Sequence, residues 1–152
     1  MKFIGRIVLF AIAGFIVLIS GESVVRAQQN SAVMATRLFT GDDGLTHSER
    51  VELKFSPVAG APASEEETER VKTTSSFVLR VPAGFFQSWH NADVRRWVIP
   101  ISGRAEIEVA GGQKVIAEPG RIIEAEDLKG KGHTFRVVSK EDWVAVFVDM
   151  GQ

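Results

Sequence analysis

The amino-acid sequence predicts an all-β domain that follows a cleaved N-terminal segment. Beyond residue 27 it consists of short runs rich in Val, Ile and Phe, in which apolar and polar residues mostly alternate. Glycine, proline or charged residues interrupt these runs about every ten residues, and no stretch has helical periodicity over three turns. Alternation with period two indicates half-buried strands, and eight or so short strands separated by turns are typical of a sandwich or barrel.

The predicted strands follow one another from residue 51 to the end of the chain. Their sequences are VELKF, SFVLRV, RWVIPI, AEIEV, QKVIAE, RIIEAE, TFRVV and WVAVFVDM. In the first of them, Val51, Leu53 and Phe55 share one face, which we expect to point inward. Pro100 removes a ladder hydrogen bond, so its strand should be an edge strand or a bulged one.

Turn signals join several of these strands. Ser102-Gly103 can close a tight turn, and Gly111-Gly112 is a strong two-residue hairpin signal because glycine adopts positive φ without steric cost. Pro119-Gly120 marks another chain reversal. Residues 56–72 differ, since they contain two prolines and an acidic cluster without periodicity. We interpret them as an acidic surface loop, with a functional loop as the alternative.

Residues 1–27 have the pattern of a secretory signal peptide. Lys2 and Arg6 precede an apolar stretch, and Val25-Arg26-Ala27 places small or modest residues where a signal peptidase cuts. Cleavage after Ala27 would export the protein to the periplasm or the medium, whereas an uncleaved anchor would need about 20 apolar residues. The sequence has no cysteine, which excludes disulfides and a lipoprotein anchor.

The expected mature chain, residues 28–152, fits one domain with a core of ordinary size. We expect a flexible tail over 28–36 and a single β-barrel domain over 37–152. The mature chain carries 15 basic and 18 acidic residues, a net charge of about −3. This weak charge argues against nucleic acid as a partner and against membrane association after cleavage.

Two blocks of the sequence resemble the motifs of the cupin superfamily. Gly84 is followed by five residues, His90 and a terminal Gly103, as in the first motif. The second motif resembles AEPGRIIEAEDLKGKGH, in which Pro119-Gly120 is the turn and His133 the histidine. The first motif departs from the family pattern, because Ala92 holds the place of its second histidine and Arg96 that of its glutamate.

A narrower resemblance covers residues 37–150. The blocks GDDGLTHSE, SWHNADVRRWVIPISG, AEPGR and EAEDLKGKGH are similar, in order and spacing, to those of small, largely uncharacterised cupins. Trp97 stands where those proteins often have glutamine, and Arg121 replaces an aspartate. The resemblance implies an antiparallel jelly-roll barrel of six to eight strands, with a cavity that can hold one small ligand.

The three histidines of the chain are the first candidates for a site. His90 and His133 match cupin ligand positions, and His47 has the parity of the predicted inward residues of its strand. Three imidazoles with an open position can hold one divalent metal ion. A metal-free polar pocket of His90 and His133, or three unrelated histidines, are the alternatives.

Arg95 and Arg96 are adjacent, so in a strand one faces the cavity and the other faces solvent. An inward arginine can bind a carboxylate or phosphate through its planar fork, and an ion pair with Asp93, Glu106 or Glu108 is the alternative. We include both arginines with His90, Trp97 and His133 as candidate ligand-binding residues. All three tryptophans, Trp97 included, are expected mainly in the core or the cavity wall, together with Phe85 and Phe86; the other two are Trp89 and Trp143.

A second acidic group, Glu124, Glu126 and Asp127, precedes the Gly-Lys-Gly-His block. Such carboxylates can complete a metal set or act as a general base, although a solvated loop is the preferred interpretation. The glycines at 130 and 132 resemble a phosphate cradle only superficially, because the Walker spacing is missing.

Two functions therefore stay open at the level of the sequence. One is an exported binding protein for a small anionic molecule, with a possible homodimer as its quaternary state. The other is a metal-dependent cupin enzyme, an oxygenase or isomerase, that uses the histidines. No catalytic residue is assigned, and the sequence contains neither a cysteine nor a Gly-x-Ser-x-Gly elbow for nucleophilic chemistry.

Overall fold

The computed structural model describes residues 32–61 and 65–151. The predicted signal peptide and the first residues of the expected tail lie outside these ranges. Within the described residues, no helix is long and apolar enough to cross a membrane.

Nearly all regular structure in the described ranges is β-strand. The strands are β1 (Met34–Thr40), β2 (Thr46–Glu52), β3 (Phe55–Pro57), β4 (Glu66–Thr68), β5 (Thr73–Val81), β6 (Phe86–His90), β7 (Arg96–Ser102), β8 (Ala105–Glu108), β9 (Lys114–Ala117), β10 (Ile123–Glu126), β11 (His133–Val137) and β12 (Trp143–Met150). A single 3₁₀ turn, Ala110–Gly112, connects β8 to β9 at the predicted glycine pair.

Two main sheets form the domain. The larger has the order β2-β1-β10-β7-β12-β5, and the smaller has the order β6-β11-β8-β9. All pairings are antiparallel except that of β1 with β10. The pairings leave β2, β5, β6 and β9 as sheet edges, so the described strands form a two-sheet sandwich and do not close into a continuous barrel.

The alternation of each strand determines what the space between the sheets contains. Leu38 of β1, Ile123 of β10 and Val98 of β7 are almost fully buried on the inner face of the large sheet. Ala105 and Ile107 of β8 are buried on the facing sheet. Burying a side chain of this size contributes about 1.5–3 kcal/mol, which makes this layer the main source of stability.

Two predicted boundaries change in the structure. β1 already begins at Met34, so the end of the expected tail at 28–36 is a strand paired with β2 and β10. The predicted acidic loop over 56–72 contains the small antiparallel pair β3–β4, whose pairing includes Pro57 and Glu66. Its residues are mainly exposed, which is why its sequence lacks the alternation of a half-buried strand.

The bulge predicted as one possibility at Pro100 is present. Pro100 lies in β7, a central strand, and pairs with Ala145, whereas the next paired residues are Ser102 and Val144. The register shift therefore accommodates the missing N–H without breaking the sheet. Gly103 follows with φ of 72°, and a Cβ there would meet the Asp142 carbonyl oxygen at 2.6 Å, so this turn requires glycine.

Candidate functional site

A cavity of about 330 Å³ lies between the two sheets. Its lining is mostly apolar and includes one cationic side chain, two imidazoles, one carboxylate and two amides. The lining residues are Leu38, Leu79, Val81, Phe85, Gln87, His90, Asn91, Ala92, Asp93, Arg96, Val98, Ile107, Ile123, Ala125, His133, Phe135, Trp143 and Phe147.

Aromatic side chains form one wall of the cavity. The Trp143 ring lies edge-on against Phe135 and Phe147, with ring centroids 4.9 and 6.2 Å away, and Phe147 stacks on Phe77. Trp143 is 1% exposed and its Nε1–H donates a hydrogen bond of 3.0 Å to the carbonyl oxygen of Ala117 on the facing sheet. This wall is therefore held to both sheets by packing and by a polar contact.

His90 and His133 lie opposite each other on neighbouring strands, with ring centroids 4.5 Å apart. The register shifts between them and the next pair, Gln87 with Phe135, so β6 has one extra residue at this point. A bulge of this kind changes which face the following residue occupies. It allows Gln87 and His90, three positions apart, both to line the cavity.

Gly132 makes the close approach of the two histidine strands possible. Its φ is 76°, and a Cβ at this position would lie 2.1 Å from the carbonyl oxygen of His90. Any larger residue would push β11 away from β6 and separate the imidazoles.

A buried carboxylate holds His133. His133 Nδ1 lies 2.6 Å from Asp127 Oδ2, and the Thr46 hydroxyl donates to the same oxygen at 3.1 Å. Asp127 and Thr46 are 0% exposed, and His133 is 8% exposed. The contact fixes the tautomer with the proton on Nδ1 facing the carboxylate, which leaves Nε2 as the nitrogen available to a ligand. Asp127 Oδ1 is buried and has no hydrogen-bond partner among the described residues.

His90 is held differently, by its own strand. Its Nδ1 donates to the carbonyl oxygen of Ser88 at 2.8 Å. Burial is the largest cause and lowers the pKa of the His90 imidazole; this hydrogen bond opposes it, and the neighbouring His133 lowers the pKa by a smaller amount. The neutral form with a free Nε2 is thus favoured at neutral pH.

Of the two arginines, the structure places Arg96 in the cavity lining and Arg95 outside it. Arg96 lies beside Asp149, with 3.0 Å between Nε and Oδ1, and its guanidinium lies over the Phe147 ring at 5.5 Å. Arg95 is 50% exposed and pairs with Glu124 and Glu126, which are not the partners expected from the sequence.

Trp97, another predicted ligand-binding residue, is also absent from the lining. It alternates with Arg96 and Val98, which both line the cavity, so its side chain lies on the opposite face of the sheet. The predictions of Arg95 and Trp97 as ligand-binding residues are therefore wrong, whereas His90, Arg96 and His133 line the cavity.

The expected convergence of three histidines is wrong for His47. β1 and β2 pair so that His47 lies opposite Phe39, whereas Leu38, which lines the cavity, lies opposite Ser48. The inward residues of β2 therefore have even numbers, the reverse of the parity assumed from Val51. His47 is on the outer face, where its side chain is 41% exposed and Nε2 lies 3.0 Å from both carboxylate oxygens of Asp43.

The described residues do not fit the predicted metal centre. They contain no group of three or more His, Cys, Asp or Glu side chains placed to hold a metal ion. The cavity lining offers the imidazoles of His90 and His133 and the carboxylate of Asp93, but these three are not grouped around one point, whereas protein metal sites of this kind use three or four converging ligands. Ala92 and Arg96 also line it, and neither a methyl group nor a guanidinium has a lone pair to donate to a metal ion.

Asp127 and Thr46 belong to the site. The sequence offers Asp127 as a possible general base or metal ligand but favours a solvated loop, whereas the structure buries it. Asp127 has the parity of Ile123 and Ala125, which are buried on the inner face of β10. Continuing that alternation by one residue would have placed the carboxylate inward. Thr46 has no comparable signal, because its contact depends on the pairing of β1 with both β2 and β10.

No protein-family model matches the chain, and no curated protein matches it significantly. Several solved structures do match with probability 1.00. The cupin domain of Cnp3 from Schizosaccharomyces pombe is 11% identical with a TM-score of 0.45, and the match covers 84% of this chain and 88% of that one. A Cupin 2 conserved barrel domain protein from Salinispora arenicola is 18% identical with a TM-score of 0.37, over 74% and 81%.

A third match is the capsular polysaccharide assembling protein CapF from Staphylococcus aureus, which is 12% identical with a TM-score of 0.41. That match covers 66% of this chain and 31% of the other. Each of these likenesses is below 20% identity and has a TM-score under 0.5, so the likeness to cupins stays a resemblance that the sequence motifs carry.

Proposed function

We propose that this protein binds a small molecule with an apolar body and an anionic group in the cavity between its sheets. The observation that carries the proposal is the combination of the His90–His133 pair, Arg96 and a mostly apolar lining in one cavity. Ligand sites typically combine an apolar surface with a few polar groups that fix orientation.

Arg96 supports an anionic group on the ligand. It is the only Lys or Arg side chain in the lining described, and its side chain is 16% exposed. Its Nε, although 3.0 Å from Asp149 Oδ1, makes no hydrogen bond of acceptable geometry to the described residues. A carboxylate or phosphate that enters the cavity could accept hydrogen bonds from such a guanidinium through two oxygens.

The size of the cavity restricts the ligand. At about 330 Å³ it lies at the lower end of the usual range for ligand pockets, about 300–1,000 Å³. The ligand should therefore be a small metabolite-sized acid. Its apolar part would contact the wall of Phe135, Trp143 and Phe147.

A fluorescence titration tests this function. Trp143 lies in the cavity wall, so its emission should change when a series of short aliphatic and aromatic carboxylates is added to the chain spanning residues 28–152. We expect saturable binding of at least one acid, weaker binding of the matched primary amide, and a loss of tenfold or more in affinity in Arg96→Gln.

Arg95→Gln is the matched control, because Arg95 is the adjacent arginine and lies outside the cavity. It should bind the same acid with unchanged affinity. Equal loss in both variants, or equal binding of the acid and its amide, would contradict the proposed recognition of an anion.

A second candidate function is proton transfer by His133. The observation that favours it is the Asp127 carboxylate, which lies 2.6 Å from Nδ1 and supports the imidazole as a general base through Nε2. The class of reaction would be a metal-independent isomerisation, whereas the oxygenase alternative needs a metal set that the described residues do not provide.

Solvent exchange separates catalysis from binding. With a small 2-oxo acid as probe in D₂O, an enzyme of this class should exchange the hydrogens next to the carbonyl, as read by NMR. His133→Gln should abolish the enzyme-dependent exchange, and Arg95→Gln should keep it. Absence of exchange by the wild-type chain with every bound acid would leave binding as the function.

Export is part of the same proposal and rests on the sequence of residues 1–27. Sequencing the N-terminus of the protein recovered from outside the cytoplasm should give Gln28 as the first residue. A chain that still begins with Met1 would contradict cleavage.

A further inference from the structure

A second cleft, of about 260 Å³, lies where the open edges of the two main sheets approach each other. β2 ends the larger sheet and β9 ends the smaller one, and residues of both strands line the cleft. Polar and charged side chains predominate in it, namely those of Thr36, Ser48, Glu49, Arg50, Lys114 and Arg121. Among the described residues, none lines both this cleft and the cavity between the sheets, so the two spaces are separate candidate sites.

Arg50 brings a positive charge into the cleft that no carboxylate balances. It has the parity of the inward residues of β2. Glu49, its neighbour in the chain, pairs with Arg37 at 2.9 Å. Glu52, which has the same parity as Arg50, pairs with Lys54. Within the described part of the chain, the guanidinium of Arg50 therefore has no carboxylate partner.

Arg121 adds a second guanidinium with little compensation. Its Nε lies 3.9 Å from Glu118 Oε1, at the limit of an ion pair, and its side chain is 57% exposed. Glu118 is also shared, because its other oxygen lies 3.2 Å from Arg104. Lys114 differs, since its Nζ lies 2.7 Å from Glu106 and so has its own counter-ion. The cleft thus keeps two positive charges that the described carboxylates do not closely neutralise.

The open edge of β2 adds backbone donors. In the antiparallel pairing with β1, the Leu53 N–H donates to the Val33 carbonyl oxygen at 2.8 Å. The odd-numbered residues of this register therefore form the hydrogen-bonded pairs. The N–H groups of the even-numbered residues Ser48 and Arg50 consequently point away from β1 and towards the cleft that these residues line.

β9 presents its backbone in the same way. The Val109 N–H donates to the Gln113 carbonyl oxygen at 2.9 Å. The N–H groups of Lys114 and Ile116 therefore point away from β8 and towards the cleft. The carbonyl groups of these residues point the same way, so the preference for an anion comes from the guanidiniums and the backbone N–H groups are additional donors.

We propose that this cleft binds a tetrahedral dianion, a phosphate or sulfate group, independently of any ligand in the cavity. An exposed arginine gains little from a single opposite charge in water. Two guanidiniums in one cleft can each donate two parallel N–H bonds to an anion that carries its charge on three or four oxygens. The hydroxyls of Thr36 and Ser48 can donate to the remaining oxygens. A monocarboxylate has only two oxygens and cannot engage both arginines in this way.

An NMR titration of the ¹⁵N-labelled protein at constant ionic strength tests the site. Inorganic phosphate and sulfate should each shift the amide signals of Ser48, Arg50 and Lys114 in a saturable way. Acetate should bind at least tenfold more weakly, and chloride should give no saturable shift. The amide signals of the cavity lining, such as those of Val98 and Ile107, should stay in place.

Removal of one guanidinium at a time tests the two arginines. Arg50→Gln and Arg121→Gln should each raise the dissociation constant of inorganic phosphate at least fivefold. Arg80→Gln is the matched control, because it also removes one exposed positive charge, 3.8 Å from its nearest acid Asp142, and lies outside the cleft. It should leave the dissociation constant unchanged. The spectrum of each variant shows whether it is folded, and the two cleft variants test the site separately.

Equal losses in Arg80→Gln and in the cleft variants would reduce the effect to net charge and overturn the proposal. Saturable shifts confined to the cavity lining, equal affinities for phosphate and acetate, or no saturable shift with either dianion would overturn it as well. Methyl phosphate distinguishes two sources of the same group. An affinity at least as high as that of inorganic phosphate would indicate a phosphate ester as the ligand, and a lower affinity would indicate the free anion.

Discussion

The protein contains two histidine–aspartate pairs, one buried and one exposed, that differ in almost every physical respect. His133 and Asp127 lie between the sheets with side chains 10% and 0% exposed, and their contact distance is 2.6 Å. His47 and Asp43 lie on the outside with side chains 41% and 50% exposed, and their contact distance is 3.0 Å. The first pair faces a cavity and the second faces solvent.

The difference shows what burial does to the same chemistry. Water competes for the exposed pair, so its contact contributes little to stability and leaves the imidazole free to move. Its detectable effect is on the partner, because the hydrogen bond from His47 lowers the pKa of Asp43, assisted by the backbone N–H of Leu45. In the buried pair no water replaces a lost partner, so orientation and tautomer are fixed.

Substitution of Gly132 should have the largest effect on the buried region. Gly132→Ala would combine positive-φ strain with overlap against the His90 carbonyl oxygen, for an expected loss of about 3–5 kcal/mol in the free energy of unfolding. Gly111→Ala is the control, because Gly111 also has positive φ but has open space around a Cβ, and it should lose about 1–2 kcal/mol. Urea denaturation measures the free energy of unfolding of both variants. Equal losses would show that the close approach of Gly132 to His90 does not restrict this position to glycine.

Substitution of the two aspartates, one at a time, should have the next largest effect on stability and should distinguish the buried pair from the exposed one. Asp127→Ala would leave His133 and Thr46 without their buried acceptor, at an expected cost of about 2–4 kcal/mol. Asp43→Ala should shift the melting temperature far less, because its partner can bond to water. A comparable shift in both variants would mean that the burial of Asp127 does not decide the energetics.

The pH dependence of stability should identify His90 as a member of the buried region. Because the pKa of His90 in the folded chain lies below its ordinary value of about 6.5, folding disfavours its protonation. The folded state keeps its full stability above about pH 6.5 and loses part of it as the pH falls from there towards the lower folded pKa. His90→Gln should lose less stability than the wild type from about pH 8 to about pH 5 in thermal melts. Parallel curves would contradict the shift.

His47→Ala should have the smallest effect. Its side chain lies outside the cavity, so both the melting temperature and the affinity for an acid in the fluorescence titration should be unchanged. A loss of binding comparable to that of Arg96→Gln would restore His47 to the site and contradict the register of β1 and β2.

A feature of the site could be predicted from the sequence when it depended on the alternation of residues within one strand. It could not be predicted when it depended on the register between two strands. Alternation within one strand was enough to state that one of Arg95 and Arg96 faces inward, but it could not state which. Only the pairing of Arg96 with Ala125 and Asp149, on the inner face of neighbouring strands, distinguishes them. The sequence predicts Trp97 as a ligand-binding residue because aromatic side chains often line pockets. Its parity, however, excludes it from the face that Arg96 occupies.

The sequence by itself determined the all-β class, the order of most strands, the turns at glycine and the two histidine blocks, because these depend on short-range alternation and on backbone restrictions of single residues. The tertiary structure decided that His90 and His133 meet, that Asp127 is buried behind His133 and that His47 lies outside. Each of these results depends on a register between strands far apart in sequence. A shift of one residue reverses which face a side chain occupies, and neither the bulge in β6 nor the pairing of β2 can be read from one strand alone.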